Sequence, residues 1–254
     1  MARILIIPDV HQDILYLSKI LEKEDLGSYD QVVFLGDYFD PNVEAFAGEA
    51  ATRLTAQLIH GLVVDWPKKI KLLWGNHDII YCRLREYVLR VDPGELSDPE
   101  LAPDLRETFE RALWINQEWP GEMWFRMELA VVCDGWLLSH AGFHPDFWKP
   151  ELPKEEALRS VSAEWNGVIM DLFENEDHAL LSAGEARGGD LPAGGPIWCD
   201  WDKEFVDEIP YKQLVGHTAG AEPRRNGRSW CVDCAQRGYA ILEDGELEFI
   251  SPES

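Results

Sequence analysis

Short apolar runs and amphipathic stretches alternate along the first part of the chain. Residues 3–11 read RILIIPDVH, an apolar run that ends in an acid and an imidazole, and residues 14–24, ILYLSKILEKE, have apolar positions at helical spacing. The same order recurs at residues 31–40, QVVFLGDYFD, with a helical stretch near 45–59, and again at residues 69–78, KIKLLWGNHD. Strands that alternate with helices in this way predict parallel strands that are buried on both faces.

The middle of the chain, at about 79–128, is rich in charged and aromatic residues and is predicted to be a helical insertion. Its stretch PDLRETFERALWINQEW has the spacing of an amphipathic helix. The apolar side of that helix is expected to carry Leu105, Phe109, Leu113 and Trp114. Because the insertion begins directly after GNHD, we expect it to border the site to which those polar residues belong.

Further strands are predicted in the second half. In ELAVVCDGWLLSHAG, the DG pair supplies a hairpin turn between two apolar strands, of which the second ends at His140. YKQLVGHT predicts a strand that ends at His217. Residues 231–250, CVDCAQRGYAILEDGELEFI, predict a closing hairpin that turns at a second DG pair.

The size and charge of the chain limit what it can be. With 254 residues, of which 46% are hydrophobic, it can bury a substantial core, and one domain over 1–254 is the default expectation. Lys and Arg number 23 against 47 Asp and Glu, a net charge of -24. Such a surface repels phosphate backbones and anionic lipid, so we expect neither nucleic acid nor a membrane as a partner.

Two features predict the compartment. No stretch near the N-terminus has the basic flank and apolar run of a signal peptide, and no segment approaches the roughly 20 apolar residues that span a bilayer. The five cysteines are odd in number and scattered, which is typical of reduced thiols. CVDC has the spacing of a zinc or redox pair, but no second pair lies near it, so we interpret it as two buried thiols. A cytoplasmic protein is predicted.

Five predicted strands share one property: each ends in side chains of the kind that ligate metals. These side chains are Asp9, His11, Asp37, Asn76, His77, His140 and His217. In open α/β sheets, ligands gather at the carboxyl ends of the strands, so we expect these residues to lie together. Imidazole combined with carboxylate suits manganese, iron or zinc, whereas magnesium and calcium prefer oxygen ligands alone. The pattern therefore predicts a transition-metal centre.

The order of the motifs DVH, GDYFD, GNHD, SHAG and GHT resembles that of the calcineurin-like metallophosphoesterases. Within that family it is similar to the phosphoprotein phosphatase branch, which includes bacterial diadenosine tetraphosphatases and phage protein phosphatases. The motifs span residues 9–217, which is nearly the whole chain. The resemblance implies an α/β fold, a four-layer αββα sandwich of two mixed β-sheets flanked by helices.

The resemblance also implies two divalent transition-metal ions, manganese first, with iron or zinc as alternatives. It implies attack on phosphorus by a hydroxide that bridges the ions. His77 is implied to protonate the leaving oxygen as general acid, with Asp40 orienting its imidazole. The implied ligands are Asp9 and His11 on one ion, Asp37 between the two ions, and Asn76, His140 and His217 on the second.

The sequence departs from the family where the substrate phosphate is bound. Eukaryotic-type protein phosphatases continue GDxxD with Arg and Gly, whereas Pro41 and Asn42 follow here. A bidentate arginine is the usual device for holding a phosphoryl group, so another donor is needed. Arg83 and Arg85, just after GNHD, are the nearest candidates in sequence. The alternative is that both are surface residues paired with carboxylates.

Three other residues have two open interpretations. Asp78 stands where many relatives carry Glu, and it either fixes its loop or simply caps it. GPIWCDWD is similar to the Trp-containing segment before the family's last metal histidine. Its Trp198 and Trp201 either line the substrate groove or pack the core.

The leading hypothesis is a dinuclear metal-dependent phosphatase that acts on phosphomonoesters, phosphoproteins included. The alternative enzyme is an asymmetric hydrolase of dinucleoside polyphosphates, of the diadenosine tetraphosphate type. The alternative from another class is a catalytically idle, metal-binding regulatory module, although every ligand position is filled. The expected substrate is accordingly a phosphorylated small molecule, a nucleotide or a phosphoprotein, and the acidic charge disfavours a nuclease.

Overall fold

The computed structural model describes residues 2–92, 94, 102–172, 174, 175 and 177–251, so residues 93 and 95–101 of the predicted insertion lie outside the described residues. The strands are β1 (Arg3–Ile7), β2 (Gln31–Phe34), β3 (Ile70–Leu72), β4 (Ala130–Cys133), β5 (Trp136–Ser139), β6 (Lys212–Val215), β7 (Arg224–Asn226), β8 (Ser229–Cys231), β9 (Tyr239–Glu243) and β10 (Glu246–Ile250). The α-helices are α1 (Ile14–Lys23), α2 (Glu49–Asp65), α3 (Asp78–Val88), α4 (Pro103–Glu118), α5 (Gly121–Arg126) and α6 (Lys154–Met170). Short 3₁₀ helices are Leu26–Ser28, Glu44–Phe46, Pro145–Phe147, Ala179–Leu181 and Glu185–Arg187. Within these residues, no helix is both long and apolar enough to cross a membrane.

The strands of the described residues form two mixed sheets of five. In the first sheet the order is β10-β9-β1-β2-β3, with β1, β2 and β3 parallel and the other pairs antiparallel. In the second sheet the order is β4-β5-β6-β8-β7, with β5, β6 and β8 parallel. The two hairpins with DG turns form as predicted. Two mixed sheets flanked by helices confirm the predicted four-layer α/β sandwich.

Alternate side chains of β1 pack on opposite faces of the first sheet. Ile4 and Ile6 enter a cluster between the two sheets, where they meet residues such as Leu138 of β5. Leu5 and Ile7 belong to a second cluster, on the other face, that includes residues of α1 and α2. Both faces of β1 are buried, which explains why its sequence is a continuous apolar run and not an alternation.

The described residues between 78 and 126 form α3, α4 and α5. Of the four residues predicted on the buried side of α4, none is fully buried, and Leu105 is 47% exposed. The residues that α4 does bury are Arg111, Ala112, Ile115 and Asn116. Polar groups are tolerated there because they have partners: Asn116 donates to the carbonyl oxygen of Tyr81 and accepts from the indole N–H of Trp124, both at 2.9 Å.

Candidate active site

The loops that follow five strands meet at one edge of the sandwich and bring the predicted ligands together. Two groups of side chains form there, and within each group the ligand atoms lie within 4.8 Å of one another. The first group is Asp9, His11 and Asp37, and the second is Asp37, His140 and His217. Asp37 belongs to both groups, so one carboxylate is common to the two groups that could hold a metal ion.

Asn76 lies beside the second group. Its Oδ1 is 3.0 Å from Nε2 of His140, and the same Nε2 is 3.4 Å from Oδ2 of Asp37. In the first group, Nε2 of His11 lies 3.7 Å from Oδ2 of Asp37 and 3.8 Å from Oδ2 of Asp9. Both imidazoles therefore direct Nε2 towards the shared carboxylate.

Backbone carbonyls hold these two imidazoles in an orientation that suits metal ligands. Nδ1 of His11 lies 2.7 Å from the carbonyl oxygen of Asp40, and Nδ1 of His140 lies 2.9 Å from that of Leu35. A carbonyl oxygen can only accept, so Nδ1 carries a proton and Nε2 is the ring nitrogen that can bind a metal ion once it is deprotonated. Nε2 of His217 is buried with no hydrogen-bond partner in the described part of the chain. An orphaned nitrogen on a histidine that is grouped with Asp37 and His140 fits a metal ion.

Burial and charge oppose one another in this cluster. Burial raises the pKa of Asp9 to about 6, against the charge of His140. Burial also disfavours ionised Asp37, yet His140 and then His77 and His11 hold the pKa of that carboxyl well below its usual range. Burial lowers the pKa of His140, but the charges of Asp37 and Asp9 outweigh it and raise the pKa to about 9. Buried acids this close need compensating positive charge, which metal cations would supply.

The backbone at the centre adopts conformations that residues other than glycine rarely take. The site residues with positive φ are His11 (46°), Gln12 (58°), Asp37 (51°), Asp40 (64°) and His217 (68°). Each such residue costs about 1–3 kcal/mol, and strain of this kind clusters at functional sites. Backbone hydrogen bonds retain the geometry, since the carbonyl oxygen of Asp37 accepts from the N–H of His11 at 2.9 Å.

Asp78 joins the loop after β2 to the loop after β3. Its buried carboxylate accepts hydrogen bonds from the backbone N–H groups of Asp37 (2.9 Å), Tyr38 (3.0 Å) and Gly75 (3.1 Å). Three donors from two loops are more than a local cap requires. Of the two open interpretations, the geometry therefore favours the one in which Asp78 fixes the loops that carry the ligands.

His77 borders the ligand cluster but has a different partner. Its Nδ1 lies 2.8 Å from Oδ2 of Asp40, and its side chain is 42% exposed, whereas that of His140 is 0% exposed. Burial lowers the pKa of His77, but the hydrogen bond to Asp40 and the charge of Asp37 outweigh it and raise the pKa to about 9. An imidazole kept protonated by a carboxylate and open to solvent can act as a proton donor.

Asp40 has two more partners, which the sequence analysis missed. Its Oδ1 accepts hydrogen bonds from the hydroxyl of Tyr81 and from Nη1 of Arg111, the latter at 2.7 Å. The available signal was an arginine at a buried position of a predicted amphipathic helix, because a buried guanidinium needs an acidic partner.

A cavity of 350 Å³ opens onto the ligand cluster and His77. Its other lining residues are Asn42, Arg187, Trp198, Thr218, Ala219 and Asp233. Arg187 is the only basic side chain, Lys or Arg, among the described residues that line this cavity. Its Nε is 2.8 Å from Oδ2 of Asp200, and its Nη2 donates to the Thr218 hydroxyl at 3.0 Å. The sequence analysis missed Arg187 because its Gly-rich loop, GEARGGDLPAGGP, carries no motif of the family.

The two arginines predicted to hold substrate do not line this cavity. Arg83 lines a neighbouring cavity of 170 Å³, which shares Asn76 and Trp198 with the first. Arg85 lines a further cavity and forms an ion pair with Glu86. A role for Arg83 in binding substrate stays a prediction, and Arg85 fits the alternative of a residue paired with a carboxylate.

The two tryptophans of GPIWCDWD have different surroundings. Trp198 lines both cavities, and its ring centroid is 5.9 Å from that of His217. Trp201 is buried, with its ring stacked on Phe205 at a centroid distance of 4.2 Å. Trp198 therefore faces the groove and Trp201 packs the core.

Comparisons with known proteins agree with this geometry. The family model of the calcineurin-like phosphoesterases matches residues 2–219. The chain is similar to a cold-active protein-tyrosine phosphatase of the psychrophile Shewanella sp., with a TM-score of 0.61 and 16% identity over 100% of this chain and 78% of that one. It is also similar to a protein serine/threonine phosphatase from Saccharomyces cerevisiae, with a TM-score of 0.51 and 15% identity over 98% and 80%. At these identities the likeness concerns the fold alone. No curated protein sequence matches the chain.

The family match begins before Asp9 and ends after His217, so it includes every predicted ligand. It also spans strands of both sheets, from β1 to β6. The chain belongs to the calcineurin-like phosphoesterase family, and its class of reaction is the hydrolysis of phosphoric esters.

Proposed function

We propose that the protein is a dinuclear metal-dependent phosphatase that hydrolyses phosphomonoesters, phosphoproteins included. The observation that carries this proposal is the pair of ligand groups that share Asp37, with His77 on the same cavity and Asp40 bound to His77. Manganese, iron or zinc suit this donor set. The ligands would be Asp9, His11 and Asp37 for one ion, and Asp37, Asn76, His140 and His217 for the other.

When bound, the cations would stabilise charge on the phosphoryl oxygens and activate water. The protein itself supplies the proton. The Asp40 carboxylate accepts from Nδ1 of His77, which leaves Nε2 as the ring nitrogen that can protonate the leaving oxygen. An alkoxide is a poor leaving group, so a positioned acid contributes about 10²- to 10⁴-fold to the rate.

Arg187 is included in the proposal as the residue that binds the substrate phosphate. The chain carries a net charge of -24, so a phosphate dianion needs a local cation to enter the cavity. Asp200 and Thr218 hold one edge of the guanidinium, and its other N–H groups can donate to phosphate oxygens. Arg187 would thus take the place of the family's arginine after GDxxD, where this chain has Pro41.

The test is parallel turnover of p-nitrophenyl phosphate, bis-p-nitrophenyl phosphate, a phosphopeptide and diadenosine tetraphosphate, with manganese added and metal content measured. We expect two ions per chain and faster turnover of the monoester and the phosphopeptide than of the diester. No turnover of any substrate with two ions bound would contradict the proposal and favour the idle regulatory module.

The alternative enzyme has its own signature in that experiment. Preferred cleavage of diadenosine tetraphosphate into ATP and AMP would identify an asymmetric dinucleoside polyphosphate hydrolase. The cytoplasmic location, the single-domain organisation and the expected lack of nucleic-acid and membrane partners remain predictions.

A further inference from the structure

The general-acid pair is connected to the helical region between 78 and 126. The two oxygens of the Asp40 carboxylate have different partners. Oδ2 faces Nδ1 of His77 at 2.8 Å, and Oδ1 accepts from Nη1 of Arg111 at 2.7 Å and from the hydroxyl of Tyr81. His77 and Tyr81 flank the first turn of α3, and Arg111 belongs to α4, so two helices meet at one carboxylate.

Arg111 is buried, with 6% of its surface exposed. Its Nη1 also lies 3.2 Å from the Tyr81 hydroxyl, and its Nη2 pairs with Glu107, one turn earlier on α4. Tyr81 is 1% exposed. Apolar residues at such positions are often as stabilising as an ion pair, because charges are costly to desolvate. Stability alone therefore does not account for a guanidinium at this position.

A fixed Oδ1 determines how the carboxylate meets His77. The terminal torsion of an aspartate is broad and roughly two-fold, so a carboxylate held at one oxygen alone can rotate. With Arg111 and Tyr81 on Oδ1, the plane of the Asp40 carboxylate is fixed, and Oδ2 stays on Nδ1 of His77. The backbone of Asp40 is held as well, since its carbonyl oxygen accepts from Nδ1 of His11 at 2.7 Å.

We propose that Arg111, together with Tyr81, is a positioning residue for the general acid, which acts through Asp40 to orient the His77 imidazole towards the leaving oxygen. Helix α4 is then part of the catalytic apparatus, although Arg111 contacts no substrate. This inference rests on the proposed role of His77 as the acid.

The experiment compares Arg111→Gln, Arg111→Lys and Tyr81→Phe, each in the wild-type and His77→Asn backgrounds, at saturating manganese. The measured quantities are kcat and KM for an alkyl and an aryl phosphate, metal content and the thermal midpoint. We expect Arg111→Gln to lower kcat on the alkyl phosphate by at least about tenfold, a fraction of the full effect of a general acid. KM, metal content and kcat on the aryl phosphate should change much less, and Arg111→Lys should recover part of the loss.

The double variants separate positioning from structural support. If Arg111 acts through His77, adding Arg111→Gln to His77→Asn should cause no further loss, because residues that act as a unit are not additive. Arg53→Gln is the matched control: Arg53 on α2 holds Glu118 of α4 at 2.7 Å and touches neither Asp40 nor His77. That variant should leave the ratio of alkyl to aryl rates unchanged.

Equal losses on both substrates, or an undiminished further loss in the His77→Asn background, would overturn the inference. If Arg111→Gln does not fold, Tyr81→Phe decides, because it removes only a hydroxyl from Oδ1. A selective loss on the alkyl phosphate supports the inference, and an unchanged alkyl rate overturns it. Failure of the proposed function is recognised separately, because the wild-type protein with two ions bound would then turn over neither phosphate. If His77 is not the acid, His77→Asn alone would lose alkyl and aryl rates equally while both ions remain.

Discussion

Histidine has different hydrogen-bond partners in two parts of the active site. The ligand side holds the candidate metal ligands, and the acid side holds the proposed general acid, His77, with Asp40. On the ligand side, His11 and His140 donate Nδ1–H to backbone carbonyls and direct Nε2 towards the acids. On the acid side, Nδ1 of His77 faces the carboxylate of Asp40. A carbonyl acceptor fixes the tautomer and leaves Nε2 free to bind a metal, whereas an anionic acceptor favours an imidazolium, which can donate a proton. The partner of Nδ1 therefore distinguishes the roles of histidines that all follow strand ends.

The pKa of His140 is also raised, but for a different reason. Burial lowers that pKa, and the charges of Asp37 and Asp9, which belong to the two ligand groups, outweigh burial. A cation bound between these acids would take the place of the proton, because metal ligands must be deprotonated. For His77 the Asp40 carboxylate lies outside the ligand groups, so its effect persists when the metals are bound.

Apart from His77→Asn, the largest loss is expected from His140→Asn, which removes a proposed metal ligand. Loss of an imidazole that contacts the metal should cost more than the roughly 10- to 100-fold typical of residues that only support a ligand. Alkyl and aryl phosphates should be affected alike, and the metal content of dialysed protein should fall from two ions towards one. Full activity with two ions retained would show that His140 is not a ligand.

The next largest effect is expected from Arg187→Gln, which tests phosphate binding apart from both histidine roles. The inhibition constant for inorganic phosphate should rise about 10- to 100-fold, as expected for the loss of a charged hydrogen bond of about 1.5–3 kcal/mol. Metal content should not change. Arg85→Gln is the matched control, since Arg85 lines another cavity, and equal weakening in both variants would contradict the role of Arg187.

A smaller effect is expected from Asp200→Asn, which leaves Arg187 in place but removes its charged anchor. The remaining Oδ1 can still accept from the backbone N–H groups of Asp202 at 3.0 Å and Lys203 at 3.1 Å, so the loop should stay folded. Phosphate inhibition should weaken about two- to fivefold, the range for a partly exposed ion pair. An unchanged inhibition constant would mean that Asp200 does not orient Arg187.

The smallest effect is expected outside the active site, at Asp207. The protonation of this residue also depends on its hydrogen-bond partners. Burial raises the pKa of Asp207, but hydrogen bonds from Arg228 and Ser229 outweigh burial and hold the pKa below its usual value. Because the folded-state pKa is depressed, this stabilisation is present above the unfolded-state value of about 3.9 and is lost as pH falls through the folded-state value.

Asp207→Asn should therefore lower the free energy of unfolding at neutral pH by about 1 kcal/mol, the size of an ordinary hydrogen bond. Denaturant unfolding of the metal-free protein across pH measures it. The difference from wild type should close as the solution is acidified, and a difference that is constant with pH would refute the assignment.

The clustering of the candidate ligands could be predicted because these residues follow strand ends. Asp9, Asp37 and Asn76 stand directly after apolar runs, and parallel strands bring such ends to one edge of a sheet. The two sheets could be predicted for a similar reason, since strands such as β1 are apolar at every position after Arg3, and the DG pairs mark two hairpins.

The supporting residues could not be predicted, because their partners are distant in sequence. Arg111 is 71 positions from Asp40, and the loop of Arg187 shows no periodicity that would place it beside Thr218. The buried face of α4 was predicted only in part for a related reason: Phe109 and Leu113 pack against the core, but Leu105 is 47% exposed. A helix rule assigns buried positions to apolar residues, whereas Arg111 and Asn116 are buried because Asp40 and Tyr81 satisfy their hydrogen bonds.

The most direct test of the account is the ratio of rate losses on alkyl and aryl phosphates in His77→Asn, measured at saturating manganese with metal content checked. We expect both ions to stay bound, the alkyl phosphate to lose about 10²- to 10⁴-fold in kcat, and the aryl phosphate to lose far less. An activated aryl oxide leaves without full protonation, whereas an alkoxide does not. A ratio near one with two ions bound would contradict the account, because His77 would then not be the residue that protonates the leaving group.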